Sequence, residues 1–158
     1  PRLNVDRIVL AGGSGRTLAF GPGHVDGSAP PGGAGVSVIA GHRDTHFRFL
    51  KDLVPGDRIE IEAPNGNRTS YRVAGATIAD ARYQTLDPAD ARPRLALVTC
   101  YPFDAVWPGG PMRYVVFAEA QAEAQPARMM AASGIERPGI GALGLVTAGI
   151  AAPGVTAP

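Results

Sequence analysis

Residues 95–118 read LALVTCYPFDAVWPGGPMRYVVFA, and most of the structural prediction for this chain depends on them. Two apolar runs, residues 95–99 and 114–118, lie on either side of a loop rich in proline and glycine, which break both helix and sheet. Runs of this length predict two short strands joined by a loop. Cys100 follows the first run directly and Arg113 precedes the second, so both are expected at strand ends.

Other short strands are predicted earlier in the chain. The first two candidates are apolar and rich in branched side chains. The next two alternate polar and apolar positions, as a strand with one solvent-exposed face does. These strands cover residues 5–11, 36–40, 57–63 and 69–75. Asn65-Gly66 favours a tight hairpin turn between the last two, and one short helix is expected at residues 47–53. Many short strands with little helix predict a mainly all-β domain, a closed or nearly closed β-barrel.

Charge and composition exclude several classes of function. Fifteen Lys and Arg against fourteen Asp and Glu give a formal charge of +1, which is not the basic excess that nucleic-acid binding requires. The single cysteine cannot form an internal disulfide. The sequence has no CxxC, HExxH, Walker or GxGxxG motif, so no metal and no cofactor are predicted. Because the chain opens at Pro1 and not at Met, we interpret it as an expressed or processed form, from which an N-terminal signal or anchor could have been removed.

The composition changes after Ala120, which divides the chain into a barrel domain of residues 1–120 and a C-terminal segment of residues 121–158. A short helix is expected at residues 121–130. Residues 138–158 carry no charge and have the length of a membrane span, but eight of these 21 residues are Gly or Pro. Because Gly and Pro weaken a helix that must satisfy its own backbone in lipid, a flexible tail or a non-native extension is expected there in preference to a membrane anchor.

Cys100, His42 and Arg113 are the candidate catalytic residues. A cysteine at a strand end facing a loop is well placed to meet a substrate, although free cysteine also packs as a small buried apolar residue. His42 ends another apolar run and is the usual kind of partner that turns a thiol into a thiolate, with His24 and His46 as competing candidates. Arg113 would stabilise the negative oxygen of a tetrahedral intermediate if its strand lies beside that of Cys100. The residues alone leave the reactive and the buried interpretation of Cys100 open.

Three segments together resemble the sortase family: VIAGHR at residues 38–43, LVTC at residues 97–100, and Arg113 followed by an apolar strand. The longer strings GHRDTHFRFL and LVTCYPFDAVWPGGPMRYVV are most similar to sortases of Gram-negative bacteria. The resemblance implies a closed eight-stranded sortase-type β-barrel with short helices. It also implies an N-terminal membrane anchor absent from this chain, and an active site at the extracytoplasmic (periplasmic) face of the cell membrane.

In the sortase pattern, a cysteine attacks the Thr-Gly bond of a C-terminal sorting signal similar to LPXTG, and an amine acceptor resolves the thioacyl enzyme. The resemblance implies that Cys100 is this nucleophile, that His42 transfers the protons, and that Arg113, with backbone N–H groups, holds the oxyanion. It also assigns Thr99 and Trp107 to substrate binding, and a packing role for the lone loop tryptophan stays open. The expected partners are a protein with a sorting signal, an amine acceptor and, through the anchor, a membrane.

Two other functions remain open at this point. A cysteine hydrolase or peptidase would use the same residues with water in place of the amine. A non-catalytic sortase-like module would only bind a protein tail. Ala96 stands where many family members have a Thr, which leaves the detail of the substrate unspecified.

Overall fold

Seven strands form one mixed sheet in the computed structural model of this chain, which describes residues 2–84, 91–107 and 109–121. The strands are β1 (Leu10–Ala11), β2 (Gly23–His24), β3 (Val36–Ala40), β4 (Arg58–Glu62), β5 (Arg68–Asp80), β6 (Arg94–Cys100) and β7 (Met112–Ala120). Their order across the sheet is β1-β2-β3-β6-β7-β5-β4. The described helices are α1 (Gly15–Leu18) and a 3₁₀ helix (Arg48–Asp52). The structure is therefore mostly β, as predicted.

The strands at the centre of the sheet form because their apolar side chains are buried on both faces. The β3–β6 pair is parallel, and the β6–β7 and β7–β5 pairs are antiparallel. One face, the main-core face, carries the larger cluster of buried side chains: Ile39, Phe47, Leu50, Tyr71, Val73, Leu95, Leu97, Val116 and Ala118. The other, the second face, carries the smaller cluster Val36, Ala96 and Val115. Since side chains alternate along a strand, each position on β6 belongs to one of these faces.

The sheet curls around its main-core face. Ile39 of β3 and Ile59 of β4 line the same cavity of about 350 Å³, although β6, β7 and β5 lie between their strands in the order. Residues 2–7 also line this cavity. Among the described residues, β1 and β4 are the two edge strands of this order. The seven strands agree with the predicted β fold, and the closed eight-stranded barrel stays a prediction.

The β4–β5 hairpin confirms the clearest local prediction. Its strands pair from Arg58↔Arg72 to Glu62↔Arg68 around the Asn65-Gly66 turn, and Gly66 has a φ of +82°, which glycine adopts without steric cost. β5 continues to Asp80, five residues beyond its predicted end, because its second half pairs with β7. The hairpin alone gives no sign of that extension.

Three local predictions differ from the structure. Of the strand predicted at residues 5–11, only Leu10–Ala11 is a strand, since residues 2–7 lie along the cavity instead. The predicted helix at residues 47–53 is a 3₁₀ helix at Arg48–Asp52. The helix α1 was not predicted; the Ser14 hydroxyl caps it by accepting from the Thr17 N–H at 3.2 Å.

The C-terminal predictions, a helix at residues 121–130 and a flexible tail within residues 121–158, lie outside the described residues except for Gln121. Within the described part of the chain, no helix has both the length and the apolar character that a membrane crossing needs.

Candidate active site

Cys100 and Arg113 lie directly opposite each other at the ends of β6 and β7. They are register partners in the antiparallel pair, and opposite residues of such a pair point to the same face with Cβ atoms about 4.5–5.5 Å apart. That face is the second face, which Ala96 and Val98 also occupy, two and four residues before Cys100. Cys100 is a free, half-buried thiol, so it is not enclosed in the main core. The predicted neighbourhood of Cys100 and Arg113 is confirmed.

His42 reaches the level of Cys100 through the parallel β3–β6 pair. Ala40 is the register partner of Val98, and the Gly41 N–H donates to the Val98 carbonyl at 3.1 Å. Two residues past Ala40 on β3 is His42 and two residues past Val98 on β6 is Cys100, so both follow the end of this register by the same number of residues. His42 is exposed, so its imidazole is accessible to a substrate. Cys100 and Arg113 therefore lie at the ends of two adjacent strands, and His42 lies in the segment that follows β3, the other neighbour of β6.

Thr99 and Gly41 fix the alignment of these two strand ends. The Thr99 hydroxyl is buried and donates to the Gly41 carbonyl at 2.7 Å. A Cβ on Gly41 would lie 2.8 Å from the Phe47 ring, so only glycine leaves room for this ring beneath the His42 segment. The Phe47 N–H donates to the His42 carbonyl at 2.9 Å, which closes the turn after the histidine. Thr99, for which the sequence predicted substrate binding, thus has its hydroxyl engaged inside the protein.

The Arg113 guanidinium is held by one of its three nitrogens. Nη1 donates to the carbonyls of Gly110 at 2.7 Å and Met112 at 2.9 Å. Across residues 2–84, 91–107 and 109–121, no acceptor is found for Nε or Nη2 of this side chain. A fixed cation with donors left over is the arrangement that stabilises a developing oxyanion.

Arg43 is a residue of this site that sequence reasoning missed. Its side chain is 9% exposed, and Nη2 donates to the carbonyls of Ala105 at 2.8 Å and Trp107 at 3.0 Å. These carbonyls belong to the loop that follows Cys100. The sequence contained one indication that Arg43 is buried. It lies two residues past Gly41 and four past Ile39, so the alternation of side chains along β3, if continued, puts it on the same buried side as Ile39.

The other two histidines are less suited to act with Cys100. His24 is half-buried, and its Nε2 lies 2.9 Å from the Ala29 carbonyl and 3.1 Å from the Ser28 hydroxyl. It pairs with Ile39 in the β2–β3 register, three residues before His42. His46 is half-buried in the turn before the 3₁₀ helix. Among the described residues, no three His, Cys, Asp or Glu side chains cluster as metal ligands do.

Trp107 lies on the loop after Cys100 with its side chain 82% exposed, beside Val106 at 88%. Two large apolar side chains of this loop thus face solvent, and substrate binding by Trp107 would need such accessible surface. The role of Trp107 in substrate binding stays a prediction.

Comparisons with known proteins point to one family. A family model described as Sortase domain matches residues 1–121. The sortase D of Bacillus subtilis (strain 168) is 31% identical over 120 residues, which cover 75% of this chain and 60% of that protein. The chain thus spans less than two thirds of this relative.

Two solved structures are similar in fold. Sortase C-1 from Actinomyces oris has 26% identity and a TM-score of 0.67, with 77% of this chain and 68% of that chain covered. A Clostridium perfringens sortase D5 transpeptidase has 26% identity and a TM-score of 0.61, with 72% and 70% covered. The sheet described above is therefore of the kind found in these enzymes.

Proposed function

Because this chain belongs to the sortase family, we propose that it is a cysteine transpeptidase with Cys100 as nucleophile, His42 as proton-transfer partner and Arg113 as oxyanion-stabilising cation. One observation supports the proposal: β6 and β7 pair Cys100 with Arg113, and β3, which His42 follows by two residues, is the parallel neighbour of β6. A module that only binds a protein tail needs no thiol, imidazole and guanidinium in adjacent segments.

In the first half of the proposed reaction, the Cys100 thiolate attacks the carbonyl carbon of the scissile amide and a C–S bond forms. The negative oxygen accepts hydrogen bonds from the Arg113 donors that the loop carbonyls leave unused. As the intermediate collapses, the C–N bond breaks and His42 gives a proton to the leaving amine. The product is a thioester on Cys100.

In the second half, an incoming amine gives a proton to His42 and attacks the thioester carbon. A new C–N bond forms, the C–S bond breaks, and Cys100 returns as a thiolate. Water in place of the amine would give a carboxylic acid, so the same residues also suit a hydrolase. The acceptor that reaches the thioester first decides between these outcomes.

We propose a protein with a C-terminal LPXTG-like sorting signal as substrate and an amine as acceptor. The exposed side chains of Val106 and Trp107 support an apolar contact with the signal beside Cys100. Thr99 has a positioning role in this proposal, because its hydroxyl joins β6 to the segment that carries His42.

The proposal extends to three finer points. Residues 2–7 lie along the cavity that β4 also lines, which supports a barrel that closes on this side of the sheet, as the closed eight-stranded form requires. The strings GHRDTHFRFL and LVTCYPFDAVWPGGPMRYVV support a sortase of the Gram-negative type. A membrane-anchored protein with an extracytoplasmic active site follows from the family resemblance, and labelling of Cys100 in spheroplasts by a membrane-impermeant maleimide tests it.

Mass spectrometry of the protein with an LPXTG-like peptide and an amine tests the reaction. Wild type is expected to show a thioacyl adduct that passes to the amine, and Cys100→Ala is expected to show none. Arg72→Ala, at an exposed arginine of β5, is the matched control and is expected to behave as wild type. An adduct released only to water would favour the hydrolase, and no adduct with any peptide would overturn the proposed enzyme.

A further inference from the structure

We propose that Arg43 is a positioning residue that fixes the loop of residues 101–107, and with it Trp107, for substrate binding. The inference rests on the proposed function, since it assigns the loop a part in holding the substrate of that reaction. It concerns a residue with no role in the mechanism above.

The contacts of Arg43 span two distant segments of the chain. Arg43 follows His42 directly, and its Nη2 donates to Ala105 at 2.8 Å and to Trp107 at 3.0 Å, 62 and 64 residues further on. One buried guanidinium therefore links the histidine segment to the loop that begins at the nucleophile. A displacement of either segment would break both hydrogen bonds.

The two halves of the loop are held differently. Its first half is anchored near β7: the Tyr101 N–H donates to the Met112 carbonyl at 3.0 Å, and the Phe103 ring lies 5.2 Å from that of Tyr114. For residues 105–107, the hydrogen bonds to other segments of the described chain are those from Arg43. The position of Trp107 thus depends on this arginine.

A fixed backbone lets the exposed apolar side chains of this loop contribute to peptide binding. Val106 and Trp107 are 88% and 82% exposed, so they contribute little to the stability of the fold. Side chains that are ordered before binding lose less entropy when a ligand arrives. By holding the carbonyls on either side of Val106, Arg43 reduces the entropy that peptide binding would cost.

Arg43 is poorly explained as a stabilising residue. Its Nη1 is buried and has no hydrogen-bond partner, and no carboxylate pairs with its side chain in the described part of the chain. A buried donor without an acceptor lowers stability, and a buried charge without a countercharge has a desolvation cost that an apolar side chain does not have. The substitution Arg43→Met is therefore expected to preserve the fold while releasing the loop.

The test uses the only tryptophan of the chain, Trp107, as a probe. In Arg43→Met we expect a lower fluorescence anisotropy of Trp107 at an unchanged or higher Tm. We also expect a KM for the sorting-signal peptide raised about five- to tenfold, the scale of ordering two side chains, with a smaller change in kcat. Arg43→Lys, which keeps a donor near the carbonyls, is expected to restore part of both values.

Arg72→Met is the matched control, because Arg72 also donates to a backbone carbonyl, that of Gly56 at 2.9 Å, but is exposed on β5. It is expected to change neither anisotropy nor KM.

In a Trp107→Ala background, Arg43→Met is expected to raise KM less than in wild type, since the two residues act together. Wild-type anisotropy and KM in Arg43→Met would overturn the proposal. If Arg43→Met fails to fold, the same comparison with Arg43→Lys decides. The anisotropy result stands even if wild type forms no thioacyl adduct, so failure of the proposed function is distinguishable.

Discussion

At the residue scale, the hydrogen bonds of Arg113 determine what this side chain can do in the reaction. Nη1 is engaged by the Gly110 and Met112 carbonyls, which fixes the guanidinium beside Cys100. Removal of one oxyanion donor lowers kcat by about 10²- to 10³-fold in related chemistry. We expect a loss of this size in Arg113→Ala and a smaller one in Arg113→Lys, measured as the rate of thioester formation at saturating peptide.

Two controls make the Arg113 result interpretable. The Tm of Arg113→Ala is expected to stay close to that of wild type, because the side chain is partly exposed and its lost bonds are to a loop. Arg72→Ala is expected to retain full activity. An Arg113→Ala enzyme with the wild-type rate would exclude an oxyanion role for this residue.

Cys100, His42 and Arg113 could be predicted as catalytic residues because strand ends and family motifs can be recognised in a sequence. Arg43 was not predicted, because its contacts are with carbonyl groups of Ala105 and Trp107. Backbone acceptors leave no trace in side-chain identity, so such a contact becomes visible only when the loop is placed in space. Thr99 was identified, but its partner, again a backbone carbonyl, was not.

At the element scale, the hydrogen bond from Thr99 to Gly41 joins β6 to the segment that follows β3. Thr99 is 2% exposed, so Thr99→Val leaves the Gly41 carbonyl buried without this donor. We expect the free energy of unfolding to fall by about 1–3 kcal/mol, measured by urea denaturation. We also expect slower thioester formation, because His42 directly follows Gly41 and its position depends on this hydrogen bond.

Thr99→Ser is the matched control, since it keeps the hydroxyl and removes only a methyl group. It is expected to retain the rate of thioester formation even where the lost methyl lowers stability. Equal rates in Thr99→Val and wild type would show that this bond has no part in aligning Cys100 with His42.

Elements were predictable from the sequence where one short-range pattern defined them. The Asn65-Gly66 turn and the alternating residues of β4 gave the hairpin, and the apolar runs gave β3, β6 and β7. The second half of β5 was missed because its partner is β7, more than 30 residues away in sequence. Residues 5–9 looked like a strand by composition, yet a strand also needs a paired neighbour, which composition does not supply.

At the scale of the whole molecule, a salt bridge ties the N-terminal segment to the start of β4. Arg2 donates to Asp57 at 2.8 and 2.9 Å and also to the Asp52 carbonyl. The bond from Arg2, together with that from the Val54 N–H, lowers the pKa of Asp57 from 3.8 to about 2. A lowered carboxylate pKa stabilises the folded protein fully above the unfolded pKa of 3.8, and this contribution is lost as the pH falls through about 2.

We therefore expect the urea midpoint of wild type to fall more steeply than that of Asp57→Asn between pH 4 and 2. As the pH falls below 2, the two proteins are expected to converge, because wild-type Asp57 then becomes neutral as well. Arg2→Gln is expected to show a reduced slope, since Arg2 is the main cause of the shift. Parallel curves for wild type and Asp57→Asn over this range would contradict the assignment.

The position of β7 has a consequence for how the protein matures. β7 is the last strand of the described chain, yet it lies in the middle of the sheet, between β6 and β5. During vectorial synthesis the two halves, β1-β2-β3-β6 and β5-β4, have no strand to join them until residues 112–120 have emerged. Cys100 and Arg113 therefore become neighbours only after residues 112–120 have emerged and paired with β6. Until then, a nascent chain carries a thiol without the cation that faces it in the finished sheet.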